Sequence, residues 1–230
     1  MRDDLSKEEL IDALRELDDR IGFLDLPNIQ IRAVGGFALV LRDLRVGGVT
    51  RDIDTITPDY PSEINEAIQQ VALRKNLESN WINNQAVMST YGDVSCDDVN
   101  VHDGMLNAKY DDFDLGFSHI QVKVADLNTL ARTKLFAVAA IPLGDRTTKD
   151  AKDLQDILTA LGYKNITDAC RHLEWLQDPI YADGIETMKR FESGEKIKPE
   201  RYNLDDMIRD IYSRYDVDFP SHNPFDDWNR

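Results

Sequence analysis

The sequence predicts an α/β fold in which helices flank a mixed sheet of about four or five strands. Residues 29–34 and 120–124 alternate apolar and polar side chains, as half-buried strands do. Apolar residues also recur at helical spacing, most regularly over 127–138. We expect an α/β core over 1–125 and a helical portion over 126–230 that packs on the core and closes a cleft.

Composition and charge narrow the class of protein. Of 230 residues, 42% are hydrophobic and 30% are charged, which is ordinary globular usage and argues against disorder. The formal net charge of −16 should repel a polyanion, so non-specific nucleic-acid binding is disfavoured. The sequence lacks a secretion signal and an apolar run of membrane-spanning length, and its two cysteines suit free thiols. We therefore expect a cytoplasmic protein with no membrane partner.

The first elements are predicted from their caps and periodicity. Ser6 and Glu9 have the spacing of a capping box before an apolar stripe, which predicts a helix over about 7–22. The strand over 29–34 runs directly into a pair of glycines. A short apolar helix is then predicted from Phe37 to Arg45.

A second strand and helix follow a glycine turn. Residues 52–56 alternate polar and apolar side chains, which predicts a strand that carries Asp52 and Asp54 on one face. Beyond Pro58 and Pro61, Ser62 begins another helix. These elements together give strand, turn, helix, strand and helix.

The rest of the chain is predicted to be mainly helical. Residues 81–116 give only weak strand signals, such as 98–101. Beyond the strand at 120–124, one helix places Lys134 on its apolar stripe, and the next begins at Thr147 or Thr148 and ends at Gly162. We expect this second helix to carry three aspartates on the side opposite its apolar residues: Asp150, Asp153 and Asp156. Three further helices are predicted at about 167–177, 181–193 and 203–215.

The main candidate site combines Gly35-Gly36 with Asp52 and Asp54. Two glycines after a strand allow backbone amides to approach a phosphate, and the helix that begins there directs its positive end toward the same anion. Two carboxylates side by side on a strand suit one or two hard divalent cations, which neutralise phosphates and orient an in-line attack. The pattern therefore favours phosphoryl chemistry.

This ordered set of residues resembles the nucleotidyltransferase superfamily of the DNA polymerase β type. Gly35, Gly36, Asp52 and Asp54 carry the resemblance. Within that superfamily the chain more closely resembles the small bacterial domains related to the abortive-infection AbiEii toxins, because a helix with leucines and Lys134 follows, and then an Asp-x-x-Asp helix. The similarity covers roughly 29–161. It also includes 81–84, to which the sequence assigns no role.

The resemblance implies a cofactor, a substrate and a set of site residues. Asp52 and Asp54 would be catalytic and would hold Mg²⁺ (or Mn²⁺), while the two glycines would position a nucleoside triphosphate. The nucleotide-binding set further includes Arg51, Lys134 and Asp153. Arg51 offsets the two aspartates, although its side chain should point to the other face. Lys134 either extends its ammonium past the core edge or reaches phosphate or a carboxylate, and Asp153 is either a surface charge or the partner of Lys134.

The sequence departs from the superfamily in two respects: Gly36 and Asp52 are farther apart than is usual, and, more seriously, a clear third acid is missing. Active members carry a third carboxylate on a later strand as general base or metal ligand. Here Asp112 and Asp114 precede the 120–124 strand, and Asp98 lies on a weakly indicated strand. None of them is a clear third acid, and without one catalysis would need another base or would be absent.

Three functional hypotheses follow. The first is a Mg²⁺-dependent nucleotidyltransferase that transfers a nucleoside monophosphate to a protein, tRNA or small-molecule acceptor, as a toxin with an antitoxin partner. The second is an inactive module of the same fold that senses nucleotides or binds another protein. In the third, the aspartate pair is structural and the acidic helical tail is an interaction surface, so the chain has no affinity for nucleotides.

Overall fold

The computed structural model describes most of the chain, in five ranges: 4–45, 47–56, 60–84, 108–139 and 145–195. The strand candidate 98–101, the expected helix 203–215 and the candidate acid Asp98 lie outside these ranges.

Helices and a mixed set of strands alternate along the described residues, which confirms the predicted α/β fold. The helices are α1 (Lys7–Phe23), α2 (Gly35–Leu41), α3 (Ser62–Lys75), α4 (Leu127–Ala139), α5 (Asp145–Ala160), α6 (Ile166–His172) and α7 (Ala182–Glu192). The strands are β1 (Leu5–Ser6), β2 (Ile29–Ala33), β3 (Val49–Thr50), β4 (Ile53–Asp54), β5 (Ile82–Asn83), β6 (Tyr110–Phe113) and β7 (Ile120–Ala125). Two 3-10 turns lie at Glu174–Gln177 and Pro179–Tyr181.

The strands of the described ranges form three small sheets, two of which meet at the end of β2. On one side β2 pairs in parallel with β7, which pairs antiparallel with β6. On the other side Ala33 forms an antiparallel bridge with Thr55, and the adjoining strand β4 pairs in parallel with β5. The strands are thus mixed parallel and antiparallel as predicted, but they divide into small sheets joined by this bridge rather than forming one continuous sheet of four or five strands. β1 and β3 form a separate antiparallel pair.

The first helix forms as its sequence predicts. Ser6 accepts a hydrogen bond from the backbone N–H of Glu9, and the Glu9 carboxylate accepts one from the Ser6 N–H, which completes the capping box. The apolar stripe of α1 is fully buried: Leu10, Leu14, Leu17 and Ile21. Burial of this stripe attaches α1 to the hydrophobic core, where α1 packs against α3.

Two predicted elements are shorter in the structure. The helix expected over 37–45 begins at Gly35 and ends at Leu41, because Asp43 adopts a left-handed backbone with φ 56°. Arg42 reinforces this end by donating its Nε–H to the Ala125 carbonyl (3.0 Å). The strand expected over 52–56 is reduced to β4 and the bridge at Thr55.

The helical portion shares one hydrophobic core with the sheet. Helices α4 and α5 pack together through their buried apolar residues, and α4 also contacts α2. α5 ends before Gly162, whose φ of 91° agrees with the predicted glycine cap. The helix expected over 167–177 is divided into α6 and a 3-10 turn, while α7 lies within the expected 181–193.

A buried carboxylate fixes the beginning of β7. The Asp18 side chain on α1 is 6% exposed and accepts three backbone hydrogen bonds, from Ser118 (2.9 Å), His119 (2.6 Å) and Ile120 (2.8 Å). A carboxylate can satisfy several N–H donors that would otherwise be buried without partners. Asp18 therefore links the first helix to the strand beside β2.

We predict that Asp18→Asn destabilises the protein by about 2–3 kcal/mol, because the amide loses the charge and presents one acceptor oxygen where two served three donors. Urea denaturation would measure the change. Asp19→Asn is the matched control, since its side chain is exposed, and should change stability by less than about 0.5 kcal/mol. Equal effects of the two substitutions would contradict the assigned role of Asp18.

Candidate functional site

The glycine turn and the aspartate strand meet through backbone pairing. The Val34 N–H donates to the Asp54 carbonyl (2.9 Å), and the Ile56 N–H donates to the Arg32 carbonyl (3.2 Å). Gly35 has a φ of 61°, and a Cβ added to it would overlap Asp54 Oδ2. The Asp54 carboxylate therefore lies directly against the first glycine.

The second glycine makes room for different side chains. A Cβ on Gly36 would overlap both Arg45 Nη1 and Thr50 Oγ1. The sequence suggested that the two glycines admit a phosphate. The structure gives them a further role, because one admits a carboxylate and the other admits a guanidinium.

Asp52 immediately precedes β4, which contains Asp54, and burial alternates over residues 52–54 as expected for two aspartates that share a face. Ile53 between them is fully buried, whereas both aspartates are half-buried. On the neighbouring strand Asn83 is in register with Asp54, and its Nδ2 donates to Asp52 Oδ2 (3.0 Å). The carboxylate pair thus has an amide beside it that orients Asp52.

Burial raises the pKa of the Asp52 carboxyl above its ordinary value. The hydrogen bond from Asn83 and the charges of Arg51 and Arg45 act in the opposite direction, while the charge of Glu78 adds to the increase. The ionised form of Asp52 is therefore less stable in the folded chain than in water, a condition that a nearby cation would relieve.

The role of residues 81–84, unassigned from the sequence, is now clear. Trp81 is fully buried, and its indole Nε1 donates to the Ile68 carbonyl of α3 (3.1 Å). The backbone of the same segment accepts hydrogen bonds from Ile53 N (2.7 Å, at Trp81) and Thr55 N (2.8 Å, at Asn83). Trp81 thus fixes the strand that brings Asn83 to the carboxylate face.

Lys134 forms a buried charge cluster with α5. Its Nζ lies 2.6 Å from Asp150 Oδ1 and 2.8 Å from Asp153 Oδ2, and all three side chains are nearly inaccessible. The proposed pairing of Lys134 with Asp153 is therefore present. The expectation that Asp150 and Asp153 lie opposite the apolar side of α5 is wrong: both are buried, because Lys134 supplies a countercharge from the apolar stripe of α4.

Arg45 connects this charge cluster to the glycine turn. Its Nη2 lies 3.4 Å from Asp153 Oδ2, and its side chain is 8% exposed. Asp153 Oδ2 is buried between the two cations without an aligned hydrogen bond. Arg45 was not among the predicted site residues, because at the end of an apolar helix it had no distinguishing pattern in the sequence.

The predicted site residues thus fall into two groups joined by Arg45. Gly35, Asp54 and Asp52 form the first group, and Lys134 with Asp153 belongs to the second. Arg51 is exposed and affects Asp52 only through its charge.

The candidate third acids do not join the carboxylate pair. Asp112 is exposed on β6, where it contacts Lys123 Nζ (3.2 Å). Asp114 accepts a hydrogen bond from the Gly116 N–H (2.9 Å) in the following turn. β6 pairs with β7 in one sheet, whereas β4 pairs with β5 in another, and the bridge between the two sheets is at β2 and not at β6. Asp98 lies outside the described residues.

The carboxylates of the first group suit a cation that also binds a ligand. In the described part of the chain, no three His, Cys, Asp or Glu side chains are placed to hold a metal ion together. Mg²⁺ commonly binds one or two carboxylates and completes its octahedron with water and substrate phosphates. Asp52 and Asp54 fit that arrangement, and they do not form an all-protein metal site.

We predict that Gly35→Ala costs more stability than Gly116→Ala. Both glycines have positive φ, 61° and 73°, but a Cβ at Gly116 meets nothing within 4 Å. The left-handed backbone should cost about 1–2 kcal/mol in either variant. Displacing Asp54 should add about 1–3 kcal/mol for Gly35→Ala alone. Chemical denaturation would measure the free energy of unfolding of each variant. Equal losses of stability would show that the Asp54 side chain moves away from position 35 at no cost.

We predict that Asp52→Asn raises the melting temperature of the metal-free protein at neutral pH. Because burial raises the folded-state pKa, stability is lost as pH rises from the unfolded pKa through the folded pKa, and the amide removes this loss. The increase in melting temperature should vanish at pH values below the pKa of Asp52 in the unfolded chain. Asp112→Asn, an exposed carboxylate, is the control for the charge change. A lower melting temperature for Asp52→Asn at neutral pH would contradict the prediction.

Comparisons of the chain with protein-family models, with curated proteins and with solved structures found no match. No helix in the described ranges has both the length and the apolar character needed to cross a bilayer. The geometry of the two residue groups is therefore the basis for a functional proposal.

Proposed function

We propose that this chain is a Mg²⁺-dependent nucleotidyltransferase (Mn²⁺ being the alternative cation). It would transfer a nucleoside monophosphate from a nucleoside triphosphate to an acceptor hydroxyl and release pyrophosphate. The observation that carries the proposal is the contact between Asp54 and Gly35. Two motifs far apart in sequence meet there, as the resemblance to the DNA polymerase β superfamily requires.

The carboxylate face of β4 would hold the cation through Asp52 and Asp54. When bound, the cation would neutralise phosphate charge and orient the transferring group. Asn83 would keep the Asp52 carboxylate directed to that face through its hydrogen bond (3.0 Å). Gly35 would leave space for the Asp54 carboxylate beside the turn, where a larger residue would displace it.

The acceptor and the biological role come from the resemblance alone. The likeness to AbiEii-type toxins supports a toxin that acts in the cytoplasm and is restrained by an antitoxin. A protein side chain, a tRNA end or a small molecule could supply the acceptor hydroxyl. The net charge of −16 weighs against tRNA unless a local basic surface offsets it.

The second candidate is an inactive module of the same fold that senses nucleotides or binds another protein. Two observations favour it. Lys134, which the resemblance assigns to phosphate, already contacts Asp150 and Asp153, and within the described ranges no third acid faces the Asp52–Asp54 pair. In the third candidate function, the aspartate pair is structural and the helical portion is an interaction surface.

We predict that the protein binds a nucleoside triphosphate in a Mg²⁺-dependent manner. Calorimetric titration with ATP, GTP, CTP and UTP, with Mg²⁺ and then with EDTA, would measure binding and base preference. Asp52→Asn/Asp54→Asn should abolish the dependence on Mg²⁺, because the cation loses both protein carboxylates.

The matched control is Asp112→Asn/Asp114→Asn, which makes the same charge change at the same sequence spacing on exposed residues. This control should bind nucleotide as the unmodified chain does. Magnesium-dependent binding with no transfer to any acceptor would favour the sensing module. No nucleotide binding under any condition would reject both nucleotide-based hypotheses and favour the third.

A further inference from the structure

Two cations whose charges interact, one of them beside the second glycine of the turn, lie in a chain that is strongly acidic overall. They are Arg45, whose Nη1 lies against Gly36, and Lys149, on the first turns of α5. Lys149 precedes Asp153 by one helical turn, and Asp153 contacts Arg45. The two cations therefore belong to one local cluster.

The Arg45 guanidinium has more N–H donors than its described neighbours accept from. A guanidinium carries five N–H donors in a planar fork. Among the described residues, the guanidinium of Arg45 forms one ion pair, at 3.4 Å to Asp153 Oδ2. That same oxygen lies nearer to Lys134, at 2.8 Å, so its charge is shared. A nearly buried guanidinium with so few partners suits an anionic ligand.

Lys149 adds a second positive charge. It is exposed, yet partial burial lowers the pKa of its ammonium, and the positive charge of Arg45 lowers it further. Asp4 and Asp153 act in the opposite direction, each more weakly than Arg45. Two like charges that disfavour each other are both stabilised when an anion lies between them.

We infer that Arg45 and Lys149 bind a phosphate group of the nucleotide beside Gly36. This inference rests on the proposed function and assigns phosphate recognition to residues other than Lys134, whose ammonium is held by Asp150 and Asp153. A guanidinium and an ammonium together offer planar and point-charge donors to phosphate oxygens.

The arrangement separates two tasks across adjacent glycines. Gly35 admits the Asp54 carboxylate, which would help to hold the cation, and Gly36 admits the Arg45 guanidinium, which would bind phosphate. A cation–triphosphate complex carries both signs of charge, so it is complementary to a turn with an acid on one glycine and a base on the other.

The test compares binding of Mg²⁺-ATP and of inorganic tripolyphosphate with Mg²⁺ across single variants. Arg45→Gln and Lys149→Gln should each weaken both ligands by roughly tenfold, the loss expected for a charge-assisted hydrogen bond, and should leave binding dependent on Mg²⁺. Lys152→Gln is the matched control, because Lys152 is an exposed lysine on the same helix. It should bind both ligands within twofold of the unmodified chain.

Arg45→Gln also removes an ion pair of Asp153, so the melting temperature of each variant is measured beside its titration. Arg45→Lys is a further variant, which keeps the positive charge and loses the planar guanidinium. Lys149→Gln tests the inference without touching a buried ion pair. If Arg45→Gln and Lys149→Gln bind within twofold of the unmodified chain while Asp52→Asn/Asp54→Asn does not bind, the inference fails and the proposed function stands. If the unmodified chain binds neither ligand, both fail.

Discussion

The backbone hydrogen bond from Val34 to Asp54 is the constraint on which the candidate site depends. It aligns the end of β2 with β4, so that the Asp54 carboxylate lies against Gly35 (2.9 Å between Val34 N and Asp54 O). Trp81 then anchors β5 alongside β4, which brings Asn83 to Asp52. A residue larger than glycine at position 35 would disturb this whole arrangement, because its Cβ would overlap the carboxylate.

A second constraint is the buried charge cluster that joins the helical portion to the core. Lys134 on α4 holds Asp150 and Asp153 on α5, and Asp153 shares its charge with Arg45 beside the turn. Charges removed from water remain stable only when each has a close countercharge. Movement of α5 would take Asp153 away from Arg45 and leave a buried guanidinium without its countercharge, which is energetically unfavourable. The helices thus help to fix the charge balance at the glycine turn as well as to bury apolar surface.

The local patterns in the sequence predicted several elements well. The Ser6–Glu9 capping box placed α1, and alternation placed β2 and β7, because caps and periodicity depend on neighbouring residues. The same logic failed for α5, where aspartates were expected on the exposed side. Asp150 and Asp153 are buried because of Lys134 on another helix, and no pattern within α5 encodes that partner.

The sequence by itself determined the α/β class, the glycine turn and the alternation of Asp52 and Asp54 about Ile53, whereas the pairing of Lys134 with Asp153 was one of two alternatives. Each follows from spacing along one or two elements. Only the tertiary structure decided that Asp54 lies on Gly35, that Asn83 orients Asp52 and that Arg45 lies on Gly36. These contacts join residues that are distant in the chain, and they depend on strand order and on the space a missing Cβ leaves, neither of which a linear pattern contains.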